Sequence, residues 1–386
     1  MQIEISKRLQ KLPPYLFAEI DALKESVKKK GKDIISLGIG DPDGATPEHI
    51  IKSMAKAIRN PEHHHYPSYE GMEIYRKAVA LWYKRRFNVD LDPQREILSL
   101  IGSKEGIAHI HIAFVNPGDI VLEPDPAYPV YHIGTVFTDG ESYTVPLLEK
   151  NNFLPDLSSI PTDIAKRAKL FFINYPNNPT GAKADLRFYN DVVRFAKDYN
   201  VIICADTAYS EIYDNEPPPS FLNAREARDV GVEFHSLSKT YNMTGWRIGF
   251  VCGNADIISG LGKVKTNVDS GVFQAVQEAA ITALGSSKQS VKKIRQTFTK
   301  RRKLFKQGLD ELGFRYFDTD TTFYIWVKVP GDIDSKTFAM RVLEETGVVV
   351  TPGIGFGRYG EGYFRVALTV KEQELKEALQ RIKKIK

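Results

Sequence analysis

KLFFINYPNNPTGAKADLRFYNDVVRFAKDYNVIICADTAY, residues 169–209, holds two apolar runs with an amphipathic stretch between them. KLFFINYP (169–176) and VIICAD (201–206) are apolar at successive positions and do not alternate. That is the pattern of strands covered on both faces. Between them Tyr189, Val192, Val193, Ala196 and Tyr199 recur at helical spacing, which predicts a helix over 185–199.

The same texture extends both ways. ILSLIG (97–102) reads as a buried strand, followed by Gly102, Ser103 and a helical stretch to Val115. The turn NPGD (116–119) leads into the strand IVLEP, and VEFHSLS and WRIGFVCG add two more near 232–253. Strands separated by helices predict an α/β fold with a mostly parallel sheet between helices. After about residue 285 the pattern becomes α+β. A long basic helix ends at Gly313. It is followed by TFYIWVKV, a helix near 335–346, VVVTPG, YFRVALTV and a final basic helix. The expected organisation is an N-terminal segment (1–46) packing with a small C-terminal domain (286–386), and a large domain between them (47–285).

Composition narrows the class. A chain of 386 residues with 42% hydrophobic and 26% charged residues can bury a sizeable core, which excludes a mainly disordered protein. A net charge of +5 is too mild to identify a nucleic-acid binder. Cys204 and Cys252 are the only cysteines, so a disulfide framework is excluded and a reducing compartment is expected. No apolar run reaches membrane-span length and no signal-peptide core is visible, so the expectation is a cytoplasmic protein without a membrane partner.

Five short stretches can carry chemistry. In S-L-S-K-T (236–240), Lys239 follows an apolar strand. A lysine desolvated beside other cations has a depressed pKa and attacks carbonyls. Ser236, Ser238 and Arg247 are donors suited to a phosphate. In D-T-A-Y (206–209), Asp206 stands at the carboxyl end of a strand, where open parallel sheets bind ligands. It can hold a cationic ring nitrogen, and Tyr209 can donate to a phenolate oxygen. In N-N-P-T-G (177–181), Asn178 offers the one functional side chain of a turn. In G-S-K-E-G (102–106), Ser103 and Lys104 open a helix whose N–H groups form an anion site, although the pattern is not a P-loop. Arg365 interrupts the apolar strand Y-F-R-V-A-L. A buried arginine needs a bidentate partner, which a substrate carboxylate or an internal carboxylate would supply. His63, His64 and His65 lack the spaced partners of a metal site, and no metal is expected. In the basic run 292–306, Ile294, Phe298 and Phe305 recur at helical spacing. It reads as the solvated face of a helix and not as a nucleic-acid patch.

Taken in order, these stretches resemble the pyridoxal-phosphate-dependent fold type I aminotransferases, over essentially the whole chain. The resemblance implies a transferase with pyridoxal 5'-phosphate as cofactor. It implies that Lys239 carries the cofactor covalently and shuttles the proton, and that Asp206 partners the pyridinium nitrogen. Asn178 and Tyr209 then bond the ring's 3-oxygen, and Tyr128 stacks on the ring. Ser103, Lys104, Ser236, Ser238 and Arg247 form the phosphate cup, and Arg365 grips the substrate α-carboxylate. Tyr66, with Tyr69 as a rival, reaches the phosphate of a second subunit in a homodimer. Asn267 sits where the family brings a second cross-subunit group.

Within that family, L-P-P-Y-L-F-A-E-I and S-L-G-I-G-D-P-D resemble the LL-diaminopimelate aminotransferase branch. This implies that Tyr15, Gly40 and Lys104 touch substrate, together with Tyr128, Asn178, Asn267 and Arg365. It also implies transamination of LL-2,6-diaminopimelate with 2-oxoglutarate in lysine biosynthesis. The alternatives are aspartate, alanine or aromatic donors, a lyase using the same cofactor, or a regulator that binds nucleic acid.

Overall fold

Residues 169–209 form a strand, a helix and a parallel strand: Ala168–Asn174, Leu186–Tyr199 and Ile202–Asp206. Asp185 caps the helix by accepting from the Phe188 N–H at 2.8 Å, and Asn200 ends it in the left-handed region. These elements belong to a computed structural model that describes residues 1, 3–12, 16–29 and 31–385.

The described strands are β1 (Ile35–Ser36), β2 (Ile97–Leu100), β3 (Ile120–Asp125), β4 (Glu141–Pro146), β5 (Ala168–Asn174), β6 (Ile202–Asp206), β7 (Gly231–Ser236), β8 (Gly249–Gly253), β9 (Tyr324–Lys328), β10 (Val348–Val349), β11 (Thr351–Pro352) and β12 (Tyr363–Ala367). Seven of them form one sheet in the order β2-β8-β7-β6-β5-β3-β4. It is parallel from β4 to β7, and β8 runs antiparallel to both its neighbours. Both faces are buried. Along β5, Leu170 and Phe172 pack with Ile107, Ile110 and Leu261, while Phe171 and Ile173 pack with Val192 and Phe195 on the other side. This is why the strands read as continuous apolar runs.

The reversal of β8 positions the site. Antiparallel neighbours need only a short connection. The chain from Ser236 to Gly249 therefore turns back at the carboxyl edge of the sheet, and Lys239 and Arg247 stay there.

A second core lies around Phe298, Phe305, Ile325, Val327, Phe338, Val350, Val366 and Leu375, with Ile35 and Leu37 in it. The order β11-β12-β9 is antiparallel, and β1 pairs parallel with β10. The Leu37 N–H donates to the Val349 carbonyl at 2.8 Å, and the Ala367 N–H donates to the Leu37 carbonyl at 2.7 Å.

The basic helix is Lys288–Leu312, closed by Gly313 at φ +70°. It corrects one expectation. Lys292, Lys293, Lys300 and Lys303 are solvated, but Arg301 and Arg302 are buried. Arg301 makes a fork with Asp43, at 2.7 and 2.8 Å, and Arg302 pairs with Asp214. Both carboxylates are remote in sequence, so the charge run alone could not reveal them. No helix among the described residues is long and apolar enough to cross a membrane.

Candidate active site

Each parallel strand ends at the same edge, and a cavity of about 400 Å³ opens there. Its lining gathers Gly40, Ser103, Lys104, Tyr128, Asn178, Asp206, Tyr209, Ser236, Ser238, Lys239, Arg247 and Arg365.

Lys239 follows β7 in the short helix Leu237–Thr240. Its ammonium donates to the Gly40 carbonyl at 2.8 Å. Burial takes this group down to about 8. Asp41 opposes the shift, and the cations Arg365 and Arg247 add to it. Gly40 has no room for a side chain, because a Cβ there would overlap the Tyr324 hydroxyl and lie 2.7 Å from Tyr324 Cζ.

Asp206 ends β6 and is buried. Its Oδ2 accepts from the Tyr131 hydroxyl at 2.8 Å and its Oδ1 from the Ala208 N–H at 3.2 Å. Burial still pushes the carboxyl up to about 6. Asn174, at the end of β5, donates to the Asp206 carbonyl and accepts from the Asn178 N–H, both at 2.8 Å. Tyr209 Oη lies 3.0 Å from Tyr324 Oη, and burial raises its pKa, so the phenol keeps its proton.

The opposite wall is an anion cradle. The helix Ser103–Phe114 starts at Gly102, whose φ of +76° favours glycine. A Cβ there would also sit 2.9 Å from the Arg247 guanidinium carbon. Arg247 is itself left-handed, at φ +55°, and donates to the Thr244 carbonyl at 2.9 Å and the Ile101 carbonyl at 3.4 Å. Such a conformation costs a side-chain-bearing residue on the order of 1 kcal/mol and is typical of functional positions. Ser236 Oγ accepts from the Ser238 N–H at 3.2 Å. Ser238 Oγ is buried without a partner among the described residues. Free helix N–H groups, an orphaned hydroxyl and an arginine are the donor set a phosphate monoester requires.

Arg365, on β12, is buried. It donates to Asn178 Oδ1 and to the Gly38 carbonyl, each at 2.7 Å. The rings of Tyr324 and Phe356 lie 4.2 and 4.6 Å from its Cζ. No carboxylate of the described residues pairs with it, and its Nε has no hydrogen-bond partner among them. A buried cation so arranged awaits an anion from outside.

The matching family description is aminotransferase class I and II, over residues 32–382. The chain belongs to the class I and II aminotransferases. Among curated relatives, this aminotransferase is 59% identical to the LL-diaminopimelate aminotransferase of Aquifex aeolicus, over 99% of each chain. It is 53% identical to the enzyme of that name from Moorella thermoacetica, over 98% of each. Among solved structures, substrate-bound BacF from Bacillus subtilis superposes with a TM-score of 0.95 at 37% identity, covering 100% of this chain and 98% of that one. A mutant Thermus thermophilus aspartate aminotransferase superposes at 0.94 with 26% identity, over 100% of both. Membership implies pyridoxal 5'-phosphate, and the cradle, Lys239 and Asp206 fit it.

Some anticipated residues are not gathered here. Tyr66 is 88% exposed and Asn267 is exposed, its amide donating to the Lys263 carbonyl, and neither lines the cavity. Tyr69 is also exposed and away from it. Tyr15 lies outside the described residues. Conversely, sequence reasoning missed Tyr131, Tyr324 and Asn174. Only Asn174 had a signal, as the polar residue ending the apolar run before the N-N-P turn.

Proposed function

We propose that this aminotransferase moves the amino group of LL-2,6-diaminopimelate to 2-oxoglutarate, yielding tetrahydrodipicolinate and glutamate in lysine biosynthesis, with pyridoxal 5'-phosphate as cofactor. The observation that carries the reading is Arg365. It is a buried guanidinium that no carboxylate of the described residues pairs with, in one cavity with a lysine of depressed pKa. The relatives named for this reaction support the choice of substrate.

When bound, the cofactor supplies an aldehyde to hold the amino group and a ring that withdraws electrons from the substrate α-carbon. Ser103, Lys104, Ser236, Ser238 and Arg247 would hold its phosphate, and Tyr128 would supply an aromatic contact to the ring. Asp206 carries the negative charge that keeps the ring nitrogen protonated. Tyr209 Oη and the Asn178 amide would donate to the ring's phenolate oxygen. Arg365 grips the α-carboxylate as a fork, and Asn178 Oδ1 fixes the plane of that fork. With the carboxylate so placed, Lys239 Nζ is positioned to take the α-proton, and its pKa near 8 makes it a competent base at neutral pH. Gly40 and Lys104 line the substrate's path.

In this reading the enzyme is a cytoplasmic homodimer, with Tyr66 and Asn267 completing the partner's site. Residues 1–46 and 286–386 form the small domain and 47–285 the large one. The test is a panel of amino donors with 2-oxoglutarate. LL-diaminopimelate gives the highest kcat/KM, above aspartate, alanine and tyrosine. A higher value for aspartate or an aromatic donor overturns the substrate, but not the family.

A further inference from the structure

The cavity does not end at Arg365. Ile20, Lys24, Ser36 and Val349 extend its lining beneath the helix Leu16–Lys29. The strand geometry places this extension. Ile35 and Leu37 turn into the core of the small sheet, so Ser36 and Gly38 share the opposite face. Residues two apart on a strand are separated by about 6.6 Å. Ser36 therefore stands about that far from Gly38, whose carbonyl holds Arg365. The facing residues keep the same two-residue step: Val349 of β10 pairs with Ser36, and Thr351 of β11 pairs with Arg365.

The groups here are unspent. Ser36 Oγ is buried with no hydrogen-bond partner among the described residues. Lys24 is half-buried, and no carboxylate of the described residues pairs with its ammonium. Ile20 and Lys24, at i and i+4, line the cavity from one helix face. The near end thus offers a cation for one carboxylate, and the far end offers another cation and a hydroxyl beside the apolar wall of Ile20 and Val349.

We infer that Lys24 and Ser36 form a distal subsite, in which the Lys24 ammonium binds the second carboxylate of a long dicarboxylic amino acid and Ser36 Oγ accepts from its distal ammonium. This rests on the diaminopimelate reading and names how that substrate is told from shorter or monocarboxylic ones. A charge-assisted contact in a partly dry cavity outweighs the loss of water around one carboxylate. The methylene stem lies against Ile20 and Val349.

The test is calorimetric titration of the holoenzyme with pimelate and with heptanoate, which differ by one carboxylate. The wild type binds pimelate tighter, by on the order of ten- to a hundredfold. Lys24→Met brings the two ligands to near-equal affinity, and Lys24→Arg keeps the preference. Ser36→Ala leaves the pimelate preference in place and lowers kcat/KM for LL-diaminopimelate about fivefold. A wild type without preference, or a Lys24→Met enzyme that retains it, overturns the subsite. Pimelate binding requires no turnover, so failure of diaminopimelate in the donor panel and failure of this subsite are separate outcomes.

Discussion

The hydroxyl of Tyr131 donates to Asp206 Oδ2 at 2.8 Å, within a fully buried pair. Burial has already pushed Asp206 up to about 6, and the Tyr131 bond is the first of the contacts that hold it down. Tyr131→Phe removes a donor to the charged form, so the carboxyl moves further up. In fluorescence titrations the apoprotein then binds pyridoxal 5'-phosphate about tenfold more weakly at pH 7, and the acid limb of the binding curve moves to higher pH. An unmoved limb would show that Tyr131 only fills space.

Asp206 also loads the apo fold. A folded carboxyl titrating near 6 instead of 3.8 costs stability above pH 6, and the cost disappears as the pH falls toward the unfolded value. Asp206→Asn, which keeps an acceptor for Tyr131, should stabilise the apoprotein at pH 7.5 by on the order of 1–3 kcal/mol and do nothing at pH 4. Melting curves at the two pH values check this. In the proposed reading the same variant should also lose activity, because a neutral amide would not hold the ring nitrogen's proton.

Lys239 is expected to carry the cofactor. Borohydride reduction of the yellow holoenzyme leaves label on Lys239, and Lys239→Ala retains none and loses on the order of 10⁴-fold or more in kcat. The ammonium titrates near 8. The rate at which apoprotein captures the cofactor should therefore rise with pH through about 8 and then level. A rise centred near 10.5 would mean that a solvated lysine reacts.

Arg365 faces no carboxylate among the described residues, so its substitution should separate the proposed substrate grip from folding. Arg365→Met should cut kcat/KM by on the order of 10²- to 10³-fold. It should leave the unfolding midpoint near the wild-type value, because a buried cation costs desolvation that an apolar side chain does not. Arg365→Lys should not rescue activity, since the fork geometry is lost. A large fall in stability with Arg365→Met would make the arginine structural.

Tyr66 is 88% exposed in the single chain and lies outside its cavity. Tyr66→Phe and Arg365→Ala chains, each impaired alone, should regain activity when mixed and refolded together, because one hybrid site then holds both native residues. Size-exclusion chromatography should show a dimer. Full activity in a demonstrated monomer would refute the shared site.

Local pattern made much of this protein readable. Residues 169–209 announce a covered parallel sheet because burial on both faces leaves no polar alternation. Gly102, Asp206 and Lys239 stand out because each follows an apolar run at a strand end. What stayed hidden depends on sequence-remote partners. Nothing near β8 marks it as the reversed strand. Arg301 and Arg302 look solvated until Asp43 and Asp214 meet them. Tyr131 reads as one more helical aromatic, because Asp206 is 75 residues away. Lys24 reads as one of many lysines until the helix that carries it is laid over β1.

The bond between Arg365 and the Gly38 carbonyl joins groups 327 residues apart. During synthesis Gly38 emerges early and waits for almost the whole remaining chain. All seven strands of the large sheet have been made once Gly253 is added, yet Arg365 and its strand do not exist at that stage. A chain stopped before β12 contains all seven strands of that sheet and Lys239, but lacks Arg365. In the proposed reading, the residue that grips the substrate is therefore among the last parts of the site to be made.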